Sequence, residues 1–233
     1  MISVCIATYN GEKHIKEQLD SILCQISAKD EVVISDDGST DKTLEIIKSY
    51  NDDRIKLFDG NAFQNPIFNI ENALKKSQGD FIFLADQDDV WLENKVQVCL
   101  EQLQKADVVV SDCRVTDENL NVVFESFFQK NHSKKGLLNN LRYNSYLGCC
   151  MAFRKNVLHK ILPFPEDIPM HDIWIGFAAE LFYKTIFIER PLILYRRHGK
   201  NVSPTSGISP FDWQTKLKFR WNLIKYIPLL LTR

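Results

Sequence analysis

Short apolar runs alternate with segments of helical periodicity over the first half of the sequence, and this rhythm constrains the fold more than any other feature. Strands that alternate with helices predict βαβ units, whose parallel strands form one sheet with helices on both faces. The run at 81–85 is entirely apolar, as is typical of a strand buried on both sides. The predicted strands are 2–7, 31–35, 54–58, 81–85 and 106–111, and the predicted helices are 12–26, 40–50, 67–77 and 91–105.

The second half of the sequence is less regular. Its predicted elements are a hairpin with a turn at 117–121, a polar linker at 129–135, a mixed segment at 146–153, a helix from His171, and one or two strands at 185–195 interrupted at Pro191. We therefore expect one α/β domain over residues 1–209, with a regular half at about 1–112 and an irregular half at 113–209. A tail of different composition follows at 210–233.

Composition excludes several classes of protein. With 29 Lys+Arg against 30 Asp+Glu and a net charge of −1, the chain has no overall basic surface, so no nucleic-acid partner is expected. No apolar run reaches the roughly 20 residues that span a bilayer. The start lacks the basic segment of a signal peptide and reads as a strand. The six cysteines have no zinc-type spacing, and vicinal Cys149 and Cys150 indicate reduced thiols, so a cytoplasmic location is expected.

Polar loops follow three of the predicted strands, at 8–12, 36–41 and 86–89. Because open parallel sheets bind ligands beyond the carboxyl ends of their strands, these loops indicate a binding site at one edge of the sheet. The loop at 86–89 holds three aspartates, whose mutual repulsion calls for a nearby cation or hydrogen-bond donors. Mg²⁺ typically binds one or two carboxylates plus substrate phosphates. The alternative is a solvated turn in which Asp89 caps the next helix.

Seven segments occur in order with consistent spacing: VCIATYN at 4–10, SILCQ at 21–25, SDDGSTD at 35–41, DQDDVW at 86–91, GCCMAF at 148–153, MHDIW at 170–174 and YRRHGKNV at 195–202. Together they resemble the family 2 glycosyltransferases, which are inverting enzymes of the GT-A fold that use nucleotide-sugar donors. The resemblance covers residues 1 to about 205. It is nearest to the bacterial rhamnosyltransferase-like branch, whose members build O-antigen or capsule.

The resemblance implies that residues 1–112 bind the donor. Tyr9 would lie near the nucleobase, and Asp37 would accept a hydrogen bond from N3–H of uracil or thymine, which implies a UDP- or dTDP-linked sugar. Asp36 is expected to be structural. The implied donor-binding residues are Ala7, Thr8, Tyr9, Glu12, Asp37, Asn69, Asp86, Gly148, Arg196 and Arg197.

The same resemblance implies a metal and a general base. Asp88 would hold Mg²⁺ or Mn²⁺, with Asp89 as a second ligand and His198 reaching the metal or the diphosphate. Asp172 would be the general base, in the first turn of a helix where a negative charge is favoured. The alternative for Asp172 is an ordinary acid at a helix start.

The acceptor implied is a glycan hydroxyl, on a lipid carrier in many relatives, bound by the half at 113–209. Trp174 is expected to stack on an acceptor sugar ring, or else to be a core residue. His171 is an acceptor-site candidate, with a buried core histidine as the alternative.

The tail at 210–233 carries five basic residues against one acidic residue, together with Trp and Leu side chains. This composition predicts a helix that lies in the membrane interface, which would place the protein on the inner face of the plasma membrane. The alternative is a helix that packs on the domain or on a second subunit.

Two other functions compete with glycosyl transfer. Sugar nucleotidyltransferases generally have a Gly-rich basic loop after the first strand, whereas the loop at 8–11 has one glycine and no arginine. A non-catalytic nucleotide-sugar-binding relative would not need Asp88 and Asp172 together.

Overall fold

A computed structural model of the chain describes residues 1–142, 144–198 and 212–233, with only the backbone of Arg142. The strands are β1 (Ile2–Thr8), β2 (Glu31–Asp36), β3 (Ile55–Phe58), β4 (Phe81–Asp86), β5 (Val90–Trp91), β6 (Val108–Thr116), β7 (Val122–Phe124), β8 (Met151–Arg154) and β9 (Thr185–Arg196). The helices are α1 (Ile15–Leu23), α2 (Thr43–Ser49), α3 (Pro66–Lys76), α4 (Lys95–Leu103), α5 (Phe127–Asn131), α6 (Leu137–Arg142), α7 (Asn156–Ile161), α8 (His171–Phe182), α9 (Trp213–Ile224) and α10 (Ile227–Thr232). The expected boundary at 209/210, the motif residues 199–202, and residues 210–211 of the tail lie outside the described residues.

One mixed sheet forms the centre of the fold, with the strand order β3-β2-β1-β4-β8-β6-β9-β5, and β7 pairs with β6. The strands β3, β2, β1 and β4 are parallel, and β6 is parallel to β9. β8 is antiparallel to both β4 and β6. This arrangement confirms the predicted α/β fold with a mostly parallel sheet, and the predicted hairpin is the β6–β7 pair.

Apolar burial explains why the predicted elements form. Every residue of β2 is buried, as in a strand covered on both faces. On α1, Ile15, Leu19 and Ile22 recur at helical spacing and are all fully buried. α3 begins after Asn65, whose side chain accepts a hydrogen bond from the Ile67 N–H, and Pro66 occupies its first position.

One predicted element differs in the structure. Trp91 was expected in a helix, but it lies in β5, where it pairs with Ile193 of β9 and is 3% exposed. Its ring packs 5.8 Å from that of Phe83, and α4 begins only at Lys95.

The segment 185–195, expected as one or two strands, forms the single strand β9. Pro191 does not end this strand, because it lies where the register between β6 and β9 shifts, opposite Asp112.

The tail forms two helices that pack on the domain. Leu223 and Leu230 are buried, and the Tyr226 hydroxyl donates to Asp167 Oδ1 at 2.7 Å. The helical tail is therefore confirmed, and its contacts with the domain match the alternative of packing on protein. Among the described residues, no helix combines the length and the apolar character needed to cross a bilayer.

Candidate active site

The loops after β1, β2 and β4 meet at one edge of the sheet, as expected. The strand register places Ala7 beside Asp86 and Thr8 beside Asp36. The Thr8 hydroxyl donates to Asp36 Oδ2 at 2.7 Å, and the buried Asp36 also accepts from the Ser39 N–H at 2.8 Å. Asp36 therefore ties the first two loops together, which is the structural role expected of it.

Gln87 joins the β1 loop to the acidic loop. Its amide nitrogen donates to the Tyr9 carbonyl and its amide oxygen accepts from the Tyr9 N–H, both at 3.0 Å. Gly11 permits this contact, because a Cβ there would lie 2.4 Å from Gln87 Oε1. Gln87 was not among the predicted site residues, although its position between Asp86 and Asp88 placed it in the acidic loop. The Tyr9 ring is left 57% exposed beside this link.

Asp37 holds the loop that precedes α3. Its Oδ1 accepts from the N–H groups of Phe63 and Gln64 at 2.6 and 3.0 Å, and its Oδ2 accepts from Asn65 N–H at 3.0 Å. A carboxylate offers about four acceptor positions, so one remains. The contact between Asp37 and a nucleobase stays a prediction.

Two other predicted donor residues also contact neighbouring backbone. Glu12 Oε2 accepts from the Lys42 N–H at 3.0 Å, before the start of α2. The Asn69 amide nitrogen donates to the Thr8 carbonyl at 3.1 Å, whereas its buried Oδ1 has no hydrogen-bond partner among the described residues. Both positions adjoin the β1 loop, and direct contact with the donor stays a prediction for each.

The structure brings together two of the predicted metal-site residues. Asp88 Oδ2 lies 2.7 Å from His198 Nε2, and both side chains are largely buried. The His198 ring stacks on that of His14 at a centroid distance of 5.4 Å.

Asp89 occupies a different position from Asp88. It is fully buried, its Oδ1 accepts from the Arg196 N–H at 2.9 Å, and its Oδ2 has no hydrogen-bond partner in the described part of the chain. Burial, and then the charges of Asp88 and Asp86, raise the pKa of Asp89 well above its usual value. Asp89 therefore links the acidic loop to β9, and its role as a metal ligand stays a prediction.

The described residues contain one group of three metal-type ligands, Asp86, Asp89 and Cys149, whose ligand atoms all lie within 4.8 Å of one another. This group differs from the predicted set, which had Asp88 and His198 with Asp89. Hydrogen bonding to Cys150 and burial raise the pKa of Cys149 well above its usual value, so its sulfur stays a thiol. Carboxylate oxygens and an unpartnered buried Asp89 oxygen fit a hard divalent cation, for which a thiol is a poor ligand.

Arg196 supports the acidic loop through a hydrogen bond to its backbone. Its guanidinium is buried and donates to the Asp88 carbonyl at 2.8 Å and to the Glu118 carbonyl at 2.6 Å, and it also pairs with Glu17. The prediction that Arg196 contacts the donor is corrected, because these protein acceptors engage its guanidinium. Arg197 is half-buried, and its Nη1 has no hydrogen-bond partner among the described residues, so its donor contact stays a prediction.

Asp172 lies in the first turn of α8 and is 8% exposed. Burial raises its pKa to about 7, although N–H groups of Ile173 and Gly148 oppose the shift. The pKa of Asp86 is also raised to about 7, first by burial and then by the negative charges of Asp88 and Asp172. The carboxyls of Asp172 and Asp86 therefore lie within reach of each other's charge, and the pKa of Asp172 suits proton transfer near neutral pH.

Gly148 allows the start of α8 to approach this edge. A Cβ at Gly148 would lie 2.8 Å from His171 Nε2 and 3.7 Å from the Asp172 Cβ. In the structure the backbone of Gly148 thus lies close to His171, and its close approach to the donor sugar stays a prediction. Burial lowers the pKa of His171 to about 4, so its ring is neutral near pH 7.

Comparison with known proteins assigns the family. A model described as "Glycosyl transferase family 2" matches residues 3–162, which is more than half of the chain. The chain belongs to glycosyl transferase family 2.

Two relatives and one solved structure illustrate the likeness. The UDP-Glc:alpha-D-GlcNAc-diphosphoundecaprenol beta-1,3-glucosyltransferase WfgD of Escherichia coli is 27% identical over 71% of this chain and 64% of its own. The dTDP-rhamnosyl transferase RfbG of Shigella flexneri is 26% identical over 84% of this chain and 72% of its own. S. aureus TarS 1-349 in complex with UDP-GlcNAc has a TM-score of 0.74 at 24% identity, covering 96% of this chain and 66% of that one.

These comparisons confirm the resemblance to family 2 glycosyltransferases, including a rhamnosyltransferase, and the GT-A fold. The chain spans 64–72% of the length of the three proteins. Activity, substrates and partners of whole proteins in this family are therefore proposals for this chain.

The expected stacking of Trp174 on an acceptor sugar is wrong for this chain. Trp174 is fully buried, its indole N–H donates to the Ile161 carbonyl at 3.0 Å, and its ring meets that of Tyr226 edge-on at 6.0 Å. The alternative, a core residue, is what the structure has. The acceptor role of His171 stays a prediction.

Replacing Gln87 by Ala is expected to raise the donor KM about 30-fold, because two hydrogen bonds of about 1 kcal/mol each hold the Tyr9 backbone. The change should affect kcat less than KM. Gln97→Ala is the matched control, since Gln97 donates to Glu101 on the exposed face of α4. Equal kinetic effects of the two variants would contradict the role of Gln87.

If Asp172 is the base, the transfer rate should rise with pH to a plateau above an apparent pKa of about 7, because only the carboxylate accepts a proton. The pKa of Asp172 in the folded protein lies above its unfolded value of about 3.9. Ionisation of this carboxyl therefore lowers the stability of the fold as pH rises from the unfolded pKa through the folded pKa. Asp172→Asn should therefore abolish transfer and raise the melting temperature at a pH above 7.

The control for this prediction is Glu166→Gln, an exposed change nearby. It should leave both the rate and the melting temperature unchanged. A lower melting temperature in Asp172→Asn would show that the carboxylate stabilises the fold and would contradict the assignment.

Proposed function

We propose that this chain transfers a sugar from a UDP- or dTDP-linked donor to a hydroxyl of a glycan acceptor, with inversion at the anomeric carbon. The observation that carries the proposal is Asp172, a buried carboxyl whose charge acts on Asp86 at the end of β4. A nucleotide-binding edge and a nearby carboxyl with a raised pKa are the two parts that an inverting transferase needs.

The donor binds across the loops after β1, β2 and β4. The exposed Tyr9 ring offers a surface for the nucleobase, and Asp37 keeps one acceptor position for N3–H of uracil or thymine. The names of the relatives support both nucleotides, since WfgD is a UDP-glucose enzyme and RfbG a dTDP-rhamnosyl transferase. TarS was solved with UDP-GlcNAc, which further supports a nucleotide-sugar donor.

Asp88 and His198 would hold Mg²⁺ or Mn²⁺ at this edge, with Asp86 and Asp89 beside them. The cation, when bound, neutralises negative charge on the leaving diphosphate. Arg196 keeps the Asp88 backbone in place through its hydrogen bond to the carbonyl. Gln87 keeps the nucleobase loop at a set distance from these acids.

Asp172 accepts the proton of the acceptor hydroxyl as its oxygen bonds to the anomeric carbon, while the bond from that carbon to the diphosphate oxygen breaks. General-base catalysis of this kind typically contributes about 10²–10⁴-fold. Since the hydroxyl attacks from the face opposite the diphosphate, the product is inverted.

The acceptor we propose is a glycan on a lipid carrier, in the synthesis of a cell-surface polysaccharide such as O-antigen or capsule. The WfgD name specifies a diphosphoundecaprenol-linked acceptor, which supports this class. Such an acceptor places the reaction at the cytoplasmic face of the plasma membrane.

A test is the thermal stability of the protein with UDP, dTDP, GDP or CDP, each with and without Mn²⁺, because a ligand of the folded state raises the melting temperature. We expect UDP or dTDP to raise it by several degrees with Mn²⁺ only. Asp88→Ala should lose the effect. Asp59→Ala, a surface acid paired with Lys48, is the control and should keep it.

Stabilisation by GDP or CDP alone would contradict the donor assignment. Stabilisation by UDP or dTDP without any sugar transfer to a glycan would indicate a non-catalytic nucleotide-sugar-binding protein instead.

A further inference from the structure

The outward face of α9 carries a stripe of exposed apolar side chains. Trp213, Leu217, Trp221 and Ile224 are 68%, 54%, 63% and 40% exposed. Their spacing of four, four and three residues places them on one face of the helix. We refer to these four residues as the tail stripe, and Leu231 of α10 is exposed beyond it.

Packing against the described part of the domain does not account for the tail stripe. The domain contacts come from other residues: Leu223 is buried, Asn222 donates to the Asp167 carbonyl at 2.7 Å, and Tyr226 meets Trp174. The helix thus has one face on the protein and a second apolar face directed to solvent. Large apolar side chains grouped at the surface usually mark an interaction site.

Basic residues border the tail stripe on both sides. At 100° per residue, Lys218 and Lys225 lie along one side and Lys216 and Arg220 along the other. Asp212 is the one acidic residue in the tail from 212 to 233. A self-complementary dimer through this stripe would bring equal positive charges together, which opposes a second copy as the partner.

We propose that the tail stripe inserts into the headgroup region of an anionic lipid bilayer, with α9 lying along the membrane surface. Tryptophans favour the level of the headgroups, and flanking basic side chains attract anionic lipids. Here Lys216 and Lys218 carry this attraction, since Lys225 pairs with Asp167 and the Arg220 guanidinium donates to the Leu141 carbonyl. The contact would orient the acceptor half toward the bilayer, because Tyr226, which lies between α9 and α10, meets Trp174 of α8, and the first turn of α8 holds Asp172.

The test is flotation of the purified chain with vesicles, without nucleotide. Vesicles of equal parts phosphatidylcholine and phosphatidylglycerol should carry the protein, and binding should weaken at high salt. Pure phosphatidylcholine should bind it far less. The double variant Trp213→Gln with Trp221→Gln should weaken binding about tenfold or more. Both side chains are exposed, so the melting temperature should be unchanged.

The matched control is the double variant Val122→Gln with Val123→Gln, which changes exposed apolar residues of β7 and should bind vesicles like the wild type. Absence of binding to phosphatidylglycerol vesicles, or equal binding by the tryptophan variant, would overturn the proposal. So would a dimer in light scattering that the tryptophan changes dissolve. None of these outcomes depends on sugar transfer, so the proposed reaction is tested separately.

Discussion

The carboxyl end of β4 concentrates three aspartates in a largely buried position, and the neighbouring elements are arranged to hold them there. Asp89 is fully buried, and the pKa of Asp86 rises to about 7 through burial and through the charges of Asp88 and Asp172. Buried charges are costly unless they are paired or coordinate a cation. The edge of the sheet is therefore an electrostatically unfavourable site that a divalent cation would relieve.

Residues from distant parts of the chain keep these acids in position. Strand β9 supplies the Arg196 N–H to Asp89 and the Arg196 guanidinium to the Asp88 carbonyl, and His198 follows on the same segment. On the other side, Gln87 links the acidic loop to the Tyr9 backbone. The loops after β1 and β4 are thus one connected structure, which would couple the proposed donor site at Tyr9 to the proposed metal site at Asp88.

The regular half of the fold was predictable because its strands are buried on both faces and its helices have an apolar stripe. The strand position of Trp91 was not predictable, because a two-residue strand has no periodicity and forms only through pairing with β9. The family motifs singled out Asp88 and His198, which the structure places 2.7 Å apart, and Asp172, whose charge acts on Asp86. They could not reveal that Arg196 points into the protein, or that Asp37 holds the loop at 63–65, because both depend on contacts far apart in sequence. The burial of Trp174 was not predictable either, because the same local sequence allows an aromatic residue to pack in the core or to contact a ligand.

The most direct test of the central claim is a crystal structure of the protein with an unreactive UDP-sugar analogue and Mn²⁺. We expect the nucleobase at Tyr9 and Asp37, the diphosphate at Asp88 and His198, and the anomeric carbon with Asp172 on the side opposite the leaving oxygen. A nucleotide bound elsewhere would contradict it, as in the cavity of about 470 Å³ that Lys13, His14 and Glu118 help to line. So would a donor sugar with Asp172 on the same side as the diphosphate.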